Sequence, residues 1–213
     1  MEAHTNPPAQ ETPELLYYTG HHAVVRRLEE KDVRSAFAMP TYLHMLQVCR
    51  PSIGLTAASV DDYLARLRFF RSLGQDYEVE MTVSRQQPDG SEEHLGYLIA
   101  SGYDVVNQKV ELAAGFYRGQ GTRAAVEAMA WVVNSCFYSL KLHKLIFYVV
   151  PSQTASLRLM ERLGLTPEAH LRDEIRLPDG SRSDLLRFAL FEPQWRAAKS
   201  RWAVLRELPR SVD

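Results

Sequence analysis

Residues 116–133 read FYRGQGTRAAVEAMAWVV, two glycines one residue apart set between an arginine and a long apolar-striped segment. Thr122, Ala125, Val126, Met129, Val132, Val133, Cys136 and Phe137 recur at helical spacing, which predicts an amphipathic helix of about four turns. Glycine at 119 and 121 lets the backbone approach a ligand without a Cβ in the way. The first turn of the helix that follows offers N–H groups with no intrahelical partner and a partial positive charge. Together these make a phosphate cradle, with Arg118 and Arg123 placed to add charge. Two familiar nucleotide loops are excluded by the residue order. A Walker loop needs lysine directly after its last glycine, where this chain has Thr122, and a dinucleotide loop needs a third glycine in a parallel βαβ unit. A Gly-x-Gly before a helix is by itself equally a structural turn, so the neighbouring segments decide.

Upstream, YEVEMTVSR, a Pro88-Asp89-Gly90 turn, HLGYLIASGY and KVELAA predict an antiparallel meander that feeds the loop. Before it, HAVVRRLEEKDV reads as a strand turning into a helix near Glu29–Asp32, where acidic residues favour a helix start. Ser59 with Asp62 resembles a capping box opening a second helix along Val60, Tyr63, Leu64, Leu67 and Phe70. Downstream, HKLIFYVV is a short β-branched and aromatic run typical of a buried strand, TASLRLMERL predicts a helix ending at Gly164, and two last strands flank a second Pro-Asp-Gly turn at 178–180. The expected fold class is α/β (α+β), a mixed, mostly antiparallel sheet of about seven strands flanked by helices. Residues 1–20 are expected to be a flexible tail, 21–195 the domain and 196–213 a helical extension.

With 213 residues, 46% of them hydrophobic, the chain is long enough for a sizeable core. A net charge of −1 with mixed signs argues against whole-chain attraction to nucleic acid or an anionic membrane. Cys49 and Cys136 lack metal-site spacing and suit a reducing compartment, and no apolar run approaches membrane-spanning length, so the expectation is a cytoplasmic protein with no metal.

At this point the chain resembles the GNAT superfamily of acyl-CoA-dependent N-acyltransferases, in particular its ribosomal-protein alanine N-acetyltransferase branch. YRGQGTRAAVEA resembles the family's pyrophosphate loop and helix. LHKLIFYVVPSQTASLRLMERLGLTPEAHLRDE resembles the strand, helix and strand of that branch, and DGSRSDLLRFAL continues the match. The resemblance runs from about His22 to Trp195 and implies the GNAT fold, with splayed central strands that leave backbone groups for the cofactor. It implies acetyl-CoA or another acyl-CoA as co-substrate, a primary amine of a protein N-terminus or small molecule as acceptor, and either a monomer or a homodimer. Backbone amides of Arg118, Gly119, Gln120, Gly121, Thr122 and Arg123 would hold the pyrophosphate, and Ala113 and Ala114 would pair with the pantetheine arm. Two departures stand out. Gln153 occupies a position usually held by asparagine, and Met160 stands where many members place the tyrosine that reprotonates the departing thiolate.

The chemistry needs a neutral amine, a stabilised oxyanion and a protonated leaving thiol. Glu111, on the strand entering the loop, is the positional candidate for general base, and a solvent-facing strand residue is its structural alternative. Ser156 is a candidate to hydrogen-bond the thiolate or pantetheine, or else to satisfy the first turn of its helix. Tyr103 and Tyr117 are further donors to consider, and Asp173, Glu174 and His170 follow on the strand after Gly164. His143 is expected to make a structural hydrogen bond. Cys136 falls on the core stripe, so direct attack by the amine is favoured over an acyl-cysteine. Residues 39–55, with Tyr42, Leu43, Met45 and Leu46, either line an acceptor cleft or pack a helix. A GNAT-like sensor or scaffold that binds CoA without turnover is the alternative of a different class, and a protein for another nucleotide is the third.

Overall fold

The computed structural model describes residues 17–37, 59–72, 78–116, 118, 122–177 and 179–201. In chain order these form β1 (Tyr17–Thr19), β2 (Val24–Arg27), α1 (Glu30–Phe37), α2 (Val60–Ser72), β3 (Glu78–Gln86), β4 (Glu92–Asp104), β5 (Lys109–Phe116) and α3 (Arg123–Asn134) with a π turn over Ser135–Ser139. They continue with β6 (Lys144–Val149), α4 (Thr154–Leu163), β7 (Pro167–Arg176), β8 (Arg182–Phe191) and α5 (Glu192–Arg201). The eight strands make one sheet, ordered β1-β2-β3-β4-β5-β6-β8-β7. Every neighbouring pair is antiparallel except β5 and β6.

Local chemistry places the elements where their sequences ask. Ser59 Oγ accepts from the Asp62 N–H at 3.1 Å and caps α2. Gly164, at φ 77°, closes α4 in the left-handed conformation that favours glycine. The strand expected near the start of the meander is preceded by one more, β1, within residues 1–20. It is short, but the Tyr18 hydroxyl donates to Glu127 Oε1 at 2.9 Å and the His22 N–H donates to Glu127 Oε2 at 3.0 Å, so α3 fastens the β1–β2 hairpin. Glu127 is only 2% exposed, and burial of a carboxylate is tolerated when such donors meet it. At the other terminus Trp195 and Ala198 of α5 are buried in the core.

The sheet has two unlike faces. Leu98, Leu112, Leu145, Phe147 and Leu190 pack in one cluster with Trp131 and Phe137 from α3 and its π turn, Leu163 from α4 and Trp195 from α5. The residues that alternate with them, Tyr97, Ile99, Ile146 and Ala189, are buried on the opposite face. Glu80 points to that face too, and its Oε1 accepts from the α2 residue Tyr63 at 3.0 Å, so α2 lies over this side.

A polar network sits under α1. Arg26 makes two 2.8 Å bonds to Asp32, and Glu92 Oε2 accepts from Ser84 Oγ at 3.0 Å. His94 stands edge-on to Tyr97 with ring centroids 4.9 Å apart. Burial pushes the His94 imidazole down to about 4, against the pull of Asp32 and Glu92 and with the help of Arg26. The unfolded chain therefore binds a proton on this residue at higher pH than the folded one, and stability falls as pH drops from about 6.5 toward about 4. Asp32 acts in a lower window. Burial raises its carboxyl, but the Arg26 guanidinium and the Glu29 N–H outweigh burial, so the net shift is downward and its contribution is lost only below the usual carboxylate range. The expected result is a melting temperature that declines from near pH 6.5 by the equivalent of about 1.4 kcal/mol per pH unit. His94→Gln should flatten that limb, and an unchanged limb in the variant would remove His94 as its source.

Candidate active site

The single parallel contact of the sheet is brief. β5 and β6 pair at Lys109↔Lys144, Val110↔Leu145 and Glu111↔Ile146, and the register ends there. Past that pair the strands are held by different neighbours. β4 accompanies β5 as far as Gly96↔Phe116, and β8 accompanies β6 as far as Val149↔Leu186. The sheet thus opens as a fork whose crotch is Glu111 and whose arms are the C-terminal halves of β5 and β6. α3 starts beyond one arm and α4 beyond the other.

At the first arm, Ala113 and Ala114 are both half-buried. Ala113 lies on the α2 face and Ala114 packs against the core cluster. Arg118 is exposed; its N–H donates to the Leu95 carbonyl at 3.2 Å. Its guanidinium adds to the pull, led by Arg85, that holds the Glu93 carboxyl below its usual range. Thr122 is the N-cap of α3, with φ −73° and ψ 163°, and its Oγ1 accepts from the Ala125 N–H at 3.4 Å. That cap serves the third residue of the helix, which leaves the N–H groups of Arg123 and Ala124 as the outward donors of its first turn. Arg123 is exposed. Gly119, Gln120 and Gly121 lie outside the described residues, as do Tyr117, Tyr42, Leu43, Met45, Leu46 and Cys49.

At the second arm, Gln153 precedes α4 without a side-chain capping bond, and Ser156 lies half-buried in the first turn. Met160, one turn on, is 5% exposed and belongs to the core cluster, so this position contributes packing. At the crotch Glu111 is half-buried on the α2 face, with its side chain beside Gly102. Gly102 has φ 60°, and a Cβ there would stand 3.5 Å from Glu111 Cδ. That is ordinary contact, so the left-handed φ is what favours glycine at 102.

The remaining sequence candidates scatter. His170 lies with Nε2 2.6 Å from Asp184 Oδ2. It pairs in register with Leu186, a residue packed on the core cluster, so the sheet separates it from Glu111. The Asp173 N–H, and then His170, hold the Asp184 carboxyl low. His143 is exposed; its N–H donates to the Gln108 carbonyl at 2.7 Å and its ring packs against Phe191 at 5.3 Å. Tyr103 is exposed on the far part of β4. Cys136 is a buried free thiol, and burial pushes it up to about 12. Such a thiol stays protonated and is a poor nucleophile.

One residue joins the site from the structure alone. Tyr148 is 38% exposed on a central strand in which Leu145, Ile146, Phe147 and Val149 are buried and Lys144 is half-buried. The apolar run HKLIFYVV hides this exposure, because nothing in it marks where the cover ends. Among the described residues no group of three or more His, Cys, Asp and Glu could hold a metal, and no helix is long and apolar enough to cross a membrane.

No curated protein matches the chain. Several solved structures share the fold. A putative acetyltransferase from T. thermophilus has a TM-score of 0.66 at 22% identity, over 90% of this chain and 96% of that one. A GCN5-related N-acetyltransferase from Brucella melitensis has a TM-score of 0.68 at 18% identity, over 88% and 84%. The spermidine N-acetyltransferase from Vibrio cholerae, in complex with CoA and spermine, has a TM-score of 0.66 at 18% identity, over 83% and 99%. The family pattern described as Acetyltransferase (GNAT) domain matches residues 22–166. By that match, and with the forked sheet that accompanies it, the chain belongs to the GNAT acetyltransferase family and is an acyl-CoA-dependent N-acetyltransferase.

Proposed function

We propose that the enzyme transfers an acetyl group from acetyl-CoA to a primary amine, borne by a protein N-terminus or a small molecule, by direct attack of the amine. The fork that opens past Glu111↔Ile146 carries this reading. A pantetheine arm is an extended chain with two amides, and it fits between diverging strands as an added strand would, along Ala113 and Ala114. The N–H groups of Gly119, Gln120, Gly121, Thr122 and Arg123 bind the pyrophosphate, and Arg118, whose own N–H is taken by the Leu95 carbonyl, adds its charge with that of Arg123. Gln153 and Ser156 border the other arm. Acetyl-CoA, when bound, supplies an acyl carbon activated as a thioester. Glu111, at the crotch and facing the α2 side, takes the proton that keeps the acceptor amine from attacking. The buried, protonated Cys136 favours direct attack over a covalent intermediate.

A thermal-shift titration tests the binding half, since a ligand at about 100 times its Kd stabilises by about 2.7 kcal/mol. Stabilisation by acetyl-CoA and CoA, with none from ATP or NAD at equal concentration, is the expected result. Thiol release in the presence of peptide N-termini and small amines tests the chemical half. If no CoA species raises the melting temperature the reading fails. CoA-dependent stabilisation with no amine-dependent thiol would replace it by a binding module.

A further inference from the structure

We propose that Tyr148 is the proton donor to the thiol that leaves acetyl-CoA; this rests on the acetyl-transfer reading above. Tyr148 stands two residues past Ile146, the last β6 residue in register with β5, and on the same face of the sheet as Glu111. Ile146 is 2% exposed and Tyr148 is 38% exposed, so the cover over this face ends between them, at the mouth of the fork. The ring is partly screened by Arg187, and its remaining exposure opens toward the side that Glu111 faces.

The charged groups that face the hydroxyl come from three strands. Glu111 comes from β5, Arg187 from β8, and Glu168 and Glu174 from β7. Two register shifts in β7 bring its pair round. One lies between Pro167 and Ala169 and the other between Leu171 and Ile175, and Asp173 adopts φ 53° inside the second. Bulges of this kind re-aim side chains. Arg187 lies 6.0 Å from the Tyr148 ring and its Nε is 3.0 Å from Glu168 Oε1. Burial, then Glu111, raise the hydroxyl above its ordinary value, with Arg187 opposing and Glu174 and Glu168 adding. The group therefore remains a donor throughout the neutral range.

The protons balance. Glu111 takes one proton from the ammonium, and the neutral nitrogen forms its bond to the acyl carbon. The carbon–sulfur bond breaks with its electron pair on sulfur, and the Tyr148 O–H protonates that sulfur. The second nitrogen proton returns to the Tyr148 oxygen through water, and the proton on Glu111 goes to solvent. The products are the amide, the free thiol and one proton.

Bound CoA gives a test that needs no acceptor. A donor aimed at sulfur stabilises the thiolate. The thiolate absorbance of CoA on the wild-type enzyme should titrate roughly one pH unit below that of free CoA, a tenfold change in ionisation constant. In Tyr148→Phe it should return to the free value while CoA affinity is retained, and Tyr17→Phe, an exposed tyrosine on the edge strand β1, should keep the wild-type titration. CoA that binds both proteins and titrates alike overturns the role of Tyr148 and leaves the transferase reading standing. Failure of wild-type enzyme to bind CoA overturns both.

Discussion

Glu111→Gln is expected to lower kcat by roughly 10²- to 10³-fold near neutral pH while acetyl-CoA affinity stays unchanged, because the general base is lost and the pantetheine arm does not need it. The amide is close to isosteric and keeps its place beside Gly102. The variant should therefore fold with the wild-type melting temperature. The defect should shrink as pH rises, since the acceptor then loses its proton unaided. Alkyl amines ionise near 10 and peptide N-termini near 8, so the pH at which the variant recovers also reports which kind of amine is used. Steady-state rates across pH, with acetyl-CoA affinity measured separately, check the expectation. A variant that retains wild-type kcat at neutral pH would remove Glu111 from the chemistry.

Gly96→Val should have the second large effect, on stability and cofactor affinity together. Gly96 pairs with Phe116 across the β4–β5 ladder. A Cβ at 96 would overlap the Gly115 carbonyl oxygen and stand 2.9 Å from Phe116 Cα. The obstruction is backbone and cannot rotate away, so the end of β5 before the loop must move. Overpacking of this kind costs about 1–3 kcal/mol or more, a fall of roughly 2–12 °C for a chain of this size. Because the displaced segment is one arm of the fork, acetyl-CoA should bind at least tenfold more weakly, an effect of about 1.4 kcal/mol. Gly90→Ala is the control. Gly90 has φ 83° with nothing within 4 Å of a Cβ, so it should cost about 1 kcal/mol of backbone strain and leave affinity alone. Calorimetry on both variants decides, and equal acetyl-CoA affinity in Gly96→Val and wild type would show that β5 does not shape the site.

The features that local chemistry writes were legible in advance. Ser59, Gly164, the Pro88-Asp89-Gly90 turn and the alternation of β3 to β5 each declare themselves within a few residues. Features decided by distant partners were not. β1 looks like part of a polar tail because its anchor, Glu127, is 109 residues from Tyr18. In the same way α3 reads as a one-sided stripe, yet Ala124, Glu127, Ala128, Ala130 and Trp131 are buried as well. The β1–β2 hairpin covers the side that an isolated helix would show to water. The β7 shifts depend on how β8 runs beside it, so Glu174 was placed on its strand without its direction. Tyr148 was hidden for a related reason, since an apolar run tells that a strand is buried and not where the burial stops.

The brief β5–β6 ladder has a further consequence. A sheet normally confines its reactive margins to its two outer strands, where short length, charge or twist blunts them. Here β1 at one margin is three residues long, and β7 at the other is broken by register shifts. Between these margins, among the described residues, β5 and β6 part after three paired positions. The molecule therefore carries a seam at its centre, between β5 and β6, and on the reading proposed above the co-substrate that enters this seam is also what closes it.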